Sequence, residues 1–205
     1  MKTTFKIILV LVAFIIISCK TDNNNKSNSN IESVIKEVKV LGNEEEEYAL
    51  LFEELLAKKA LTNEQLIEAF PKKLGDFELD NGQTTLGNPD STVNGSVISG
   101  TFGNNTIKME ITDAAENYAS LAVMNIKAYD LIHLQSDDNT KYLKKERSGI
   151  KTSGVFLVGR NQSELKFVFD KRFYVVVEAE GIKVDELWKI LNVNSSLKRF
   201  KALNN

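Results

Sequence analysis

The chain has 205 residues, with 26 Lys and Arg against 28 Asp and Glu, one Cys and one His. A formal charge of −2 gives no net field to draw the protein to nucleic acid or to an anionic membrane. A lone Cys excludes an internal disulfide, and a lone His leaves few routes to histidine-based catalysis or metal binding.

Residues 1–18 have the parts of an export signal. Lys2 and Lys6 supply the positive start, residues 7–17 an uncharged apolar core, and Ser18 a small residue before the cut. The core is roughly 11 residues, short of the ~20 that span hydrocarbon as a helix. Cys19 follows Ile15-Ile16-Ile17-Ser18, which resembles the lipobox of bacterial lipoproteins, with Ile16 where Leu is most common. The resemblance implies a thioether-linked diacylglycerol on Cys19, a fatty-acylated amine such as palmitate provides, and anchoring in the bacterial cell envelope. Two or more acyl chains anchor stably where one holds only marginally. Cleavage would remove two lysines and no acid, which moves the formal charge from −2 to −4.

Residues 19–30 then form the lipidated Cys and a tether, KTDNNNKSNSN, with no apolar side chain to offset ordering entropy. As a flexible coil it spans about 17–20 Å. Residues 31–205 are expected to form a single α+β domain. A short helix or lead-in is expected at 31–40. A firm helix follows at 44–59, with Tyr48, Leu51, Phe52, Leu55 and Leu56 on one stripe. Its Glu44–Glu47 start and Lys58-Lys59 end complement the helix dipole. The glutamates lack the glycine turn and ligand spacing of a calcium loop.

Thr62 or Asn63 caps a helix at 64–70 that Pro71 stops. Residues 72–92 read as loop with a short strand at 77–79. Strands are expected at 93–102 and 106–112, joined by a two-residue turn at Gly103-Asn104. Ile107, Met109 and Ile111 face one side, Lys108 and Glu110 the other. Asp113 is placed to cap a helix at 114–133, whose stripe of Ala115, Tyr118, Ala122, Ile126 and Tyr129 is broadened by Leu121, Met124, Ala128, Leu131 and Ile132. Burial on more than one side follows from that breadth.

Strands at 142–147, 150–158, 164–169 and 173–180 have short connections, hence antiparallel neighbours. A helix at 184–191 buries Leu187 and Trp188, and 197–203 add a final turn or two. The expected fold is α+β, an antiparallel sheet of about five or six strands with helices packed on one face. The run LVGRNQSELKFVFDKRFYVVVEAEG at 157–181, followed by an amphipathic helix, resembles small exported lipoproteins, and more loosely the PsbP-type sandwich. The likeness covers the element order over about 64–203, implies accessory and binding roles, and transfers no functional residue.

Catalytic patterns are weak. His133 reads as a packing or helix-end histidine, and with Asp137 and Asp138 it makes a poor metal set. No Ser sits in a Gly-x-Ser-x-Gly turn, and no Gly-rich phosphate loop is present. A lipidated Cys19 is not a nucleophile. A glycosidase needs two converging carboxylates, and Asp76, Glu78, Asp80, Glu110, Asp113, Glu178 and Glu180 leave the pair open. Lys144, Lys145, Arg147 and Lys151, with Lys171 and Arg172, are solvated charges, or would hold an anionic headgroup or polysaccharide if they met on the wet face. Asp90-Ser91-Thr92 is similar to a short bacterial O-glycosylation motif. The reading is a membrane-anchored envelope lipoprotein with a non-catalytic binding or accessory role. Its partners would be the membrane, through the lipid on Cys19, and an envelope protein or unidentified small ligand, with no nucleic acid and no cofactor. The alternative is an envelope hydrolase using paired carboxylates.

Overall fold

The computed structural model describes residues 45–80, 85–87, 96–131 and 133–204. The expected signal peptide, Cys19, the tether, the lead-in at 31–40 and Asp90-Ser91-Thr92 lie outside the described residues.

Residues 45–57 form α1, which buries Leu55 and half-buries Leu51 and Phe52. In α2 (Asn63–Ala69), the Thr62 hydroxyl accepts from the Gln65 N–H while the Gln65 side chain accepts from the Thr62 N–H. This reciprocal cap satisfies two orphan donors. Phe70 is extended at its C-cap, as the residue before Pro71 must be. A small hairpin of β1 (Lys73–Leu74) and β2 (Phe77–Glu78) follows.

The main sheet contains β3 (Thr85–Gly87), β4 (Ser96–Phe102), β5 (Ile107–Asp113), β6 (Thr140–Arg147), β7 (Ile150–Leu157), β8 (Gln162–Phe169) and β9 (Phe173–Glu180). Among the described residues its order is β3-β4-β5-β9-β8-β7-β6, antiparallel throughout. The expected α+β architecture is therefore present. It has one strand more than expected, because β3 is three residues long, ends in Gly and carries no readable period. The four-strand meander follows the alternation closely: Leu165, Phe167 and Phe169 are buried with Val175, Val177 and Ala179, while their neighbours are half-exposed.

Three helices follow the meander: α4 (Val184–Leu191), α5 (Val193–Ser196) and α6 (Lys198–Leu203). With α2 they cover one face, where Phe70, Leu187, Leu191 and Phe200 join the strand residues in one core. Gly154 in β7 permits the close approach of α4, since a Cβ there would lie 2.5 Å from Val184 Cγ1. The opposite face is not bare. The long helix, α3 (Ala119–Leu131), and α1 pack against it through Leu55, Ala119, Ala122 and Val168. Val168 alternates with Phe167 and Phe169, so these helices lie across the sheet from α4. The helices thus divide between both faces rather than keeping to one.

Two further expectations change. The β4–β5 connection runs over four residues, with Gly103, Asn104 and Asn105 at positive φ. The Asp80 carboxylate steadies it, accepting from the N–H groups of Asn104 (2.8 Å) and Asn105 (2.9 Å). The helix expected at 114–133 begins only at Ala119, after a 3-10 turn at Glu116–Tyr118. Its buried residues are Ala119 and Ala122, whereas Met124 is 67 % and Leu131 57 % exposed. Sheet and α1 cover only part of its apolar surface.

Asp113 does not cap that helix. It is fully buried at the end of β5 and receives Arg172 Nε (2.6 Å) on one oxygen and Arg172 Nη2 (2.8 Å) on the other. The same carboxylate accepts from the N–H of Leu61 (2.8 Å) and Ala115 (3.2 Å), and Arg172 Nη2 also donates to Lys59 O (2.9 Å). Both carboxylate oxygens and the Nε and Nη2 edge of the guanidinium are thus matched, which favours tolerance of a buried ion pair. We expect Arg172→Met to destabilise the protein by about 3–5 kcal/mol, since it strands a buried carboxylate. Combining it with Asp113→Leu should cost less than the two singles summed, measured by urea unfolding.

Candidate ligand cleft

A cleft of about 430 Å³ opens at the ends of β7 and β8, within the range of small-ligand sites. Two tight turns form its rim. Ser148 and Gly149, both at positive φ, join β6 to β7, and Asp170 and Lys171, also at positive φ, follow β8. From one side of the sheet α3 contributes Asn125, Ile126 and Tyr129. From the other, α5 and α6 contribute Asn194 and Lys201. Phe169 and Ile150 supply apolar wall.

Four lysines line the cleft: Lys151, Lys166, Lys171 and Lys201. Lys151 Nζ is held by Asp130 at 2.7 and 2.8 Å, and Lys166 Nζ by Glu164 at 2.7 Å. Among the described lining residues Asp170 is the one carboxylate, and its Oδ2 accepts from the Asn204 amide at 2.8 Å. The lining is therefore rich in cationic donors and poor in carboxylates.

The basic run expected from sequence is divided by strand alternation. Lys144 and Lys151 face α3, their ammonium groups 4.7 and 5.7 Å from the Tyr129 ring centroid. Lys145 and Arg147 face α4, where Asp185 meets them at 3.5 and 2.5 Å. The Arg147 hydrogen bond and the two nearby cations hold the Asp185 carboxyl below its usual range. Arg172 is committed to Asp113. Only Lys151 and Lys171 of the expected set reach the cleft. Lys166 and Lys201 were not singled out by sequence, because a lysine on a strand or in a last helical turn has an ordinary solvated reading.

The expected carboxylates scatter. Asp113 is buried in its ion pair, Asp80 clamps a turn, and Glu78 pairs with Lys73 at 3.1 Å. On the outer face of the sheet Glu178 stands directly opposite Glu164, with Glu110 on the next strand. None of these three lines the cleft. His133 is exposed beyond the end of α3 rather than packed or helical. Asp137 accepts from the N–H groups of Asn139 and Thr140, both at 2.7 Å, as a loop staple. Among the described residues no group of three or more His, Cys, Asp or Glu could hold a metal ion. No family model matches this chain, and no curated protein matches it either.

Tyr174 borders this acidic outer face. Burial, then the charges of Glu164 and Glu110, push its hydroxyl up from 10.0 to about 12. The folded state keeps that proton longer than the unfolded chain does. Its contribution to stability is therefore complete below pH 10 and lost as pH rises towards 12. An ultraviolet pH titration should show a late tyrosine phase, and Tyr174→Phe should remove that phase.

Proposed function

We propose that this chain is a lipid-anchored, non-catalytic binding protein of a bacterial envelope, with the cleft at the ends of β7 and β8 as its ligand site. The observation that carries the reading is the cleft itself: about 430 Å³, donor-rich, with apolar wall and several lysines converging from separate elements. The anchor rests on the lipobox-like run ending at Cys19. Among the described residues no helix is long and apolar enough to cross a membrane. An acylated Cys19 followed by a polar tether would hold the domain near a bilayer without one.

The hydrolase alternative fares worse on geometry. Glycoside hydrolysis needs two carboxyl groups about 5–9.5 Å apart across a substrate. The cleft offers Asp170 as its carboxylate, and Asn204 already occupies one of its oxygens. The opposed pair Glu164 and Glu178 stands elsewhere on the outer face, outside the cleft lining. A protein partner is the second reading. It is favoured by Met124 and Leu131, which are largely exposed and lie seven residues apart along one side of α3.

The anchor is tested by metabolic labelling with a palmitate probe. Wild type should incorporate label and sediment with membranes, and Cys19→Ala should lose label and appear in the soluble fraction. Equal labelling of both proteins would overturn the anchor.

A further inference from the structure

We propose that the cleft takes a small ligand bearing at least two negative charges on phosphate or carboxylate oxygens, held chiefly by Lys171 and Lys201. The inference rests on the binding role proposed above and adds the ligand's chemistry. The lysines of the cleft are not equivalent. Lys151 and Lys166 already meet Asp130 and Glu164, which leaves them little net pull on a further anion. Lys171 and Lys201 have no ion-pair partner among the described residues, and both are exposed on the lining.

Lys171 also stands on a constrained turn, at φ 58° next to Asp170 at φ 51°. Tight turns of this kind favour Asn or Gly, because other side chains are strained at positive φ. A lysine is held there by its neighbours: Arg172 is locked to Asp113, and Asn204 donates to both Asp170 O (2.9 Å) and Asp170 Oδ2 (2.8 Å). The Asn204 contact ties the turn to the end of α6, the helix that carries Lys201. Two unneutralised ammonium groups are thus brought from a turn and a helix to one opening.

The remaining lining is mostly neutral, and its one described carboxylate, Asp170, turns Oδ2 to the Asn204 amide. Ser148, Ser153 and Asn194 add neutral donors, and Ile126 and Phe169 add a greasy wall for the body of a ligand. A net-negative chain that gathers free cations in a concave site concentrates counter-charge there, because the low-dielectric walls focus the field. Phosphate esters and carboxylated sugars share the required oxygens.

The test is calorimetric titration of the full chain in neutral-detergent micelles with pyrophosphate, citrate and a panel of neutral oligosaccharides. Wild type should bind pyrophosphate, citrate or both, with affinity falling as salt rises. Binding of pyrophosphate alone assigns a phosphate source, and binding of citrate alone a carboxylate source. The Lys171→Gln/Lys201→Gln variant should bind at least tenfold more weakly, while Lys183→Gln, outside the cleft, should match wild type. Unchanged anion affinity in the double variant would overturn the assignment to this cleft. Binding of a neutral oligosaccharide without either anion would overturn the ligand chemistry but leave the binding role standing. Failure of every compound to bind would count against both.

Discussion

The buried pairing of Asp113 with Arg172 organises the parts of this protein that sequence period leaves unconnected. Asp113 closes β5, Arg172 belongs to the turn between β8 and β9, and the peptide groups of Lys59 and Leu61 belong to the link between α1 and α2. Four hydrogen bonds join these three segments around one carboxylate and one guanidinium, and a fifth, from the Ala115 N–H, closes locally on Asp113. Two charges taken out of water are costly unless their remaining donors and acceptors are also met. Moving any of the three segments therefore leaves a buried charged group short of a hydrogen bond. Lys171 directly precedes Arg172, so the pair that locks the turn also fixes the rim of the cleft.

The second organising constraint is the two-residue period of the strands. Alternation sends Phe167 and Phe169 to the core beneath α4 and α6, and sends Val168 to α3 and α1. It divides the charges of β6 and β7 in the same way, with Arg147 going to Asp185 and Lys151 to Asp130. The cleft arises where this two-sided arrangement ends. There the terminal residues of β7 and β8, two turns, and residues of α3, α5 and α6 line one opening.

Much of the fold was readable because local signals agreed with one another. In β8 and β9 the alternation, the short turn and the β-rich composition all indicate one hairpin, and the hairpin is there. Of the two cap candidates, Thr62 or Asn63, the structure uses Thr62, and Gln65 completes the cap. What escaped reading was set by tertiary contact. Asp113 lies where a helix cap would stand, yet a partner 59 positions away claims its carboxylate. The apolar breadth of α3 predicted burial that the sheet does not extend far enough to provide. The turn after Phe102 takes four residues because Asp80, from a distant loop, pins two of its N–H groups. The cleft was half legible: Lys151 and Lys171 belong to the charged run that drew notice, whereas Lys166 and Lys201 join them only through the folding of the chain. Cys19 carries its information as a short motif and stands outside the described residues.

Native-state hydrogen exchange on the Arg172→Met protein, read at the amides of Leu61, Ala114 and position 172, tests the central claim most directly. These amides bond to, or run through, the ion pair and its turn, whereas those of the β6–β7 hairpin do not. If the pair is the common bolt, all three should lose protection together while β6 and β7 keep theirs. Independent exchange at the three sites, or protection equal to that of the parent protein, would contradict the account.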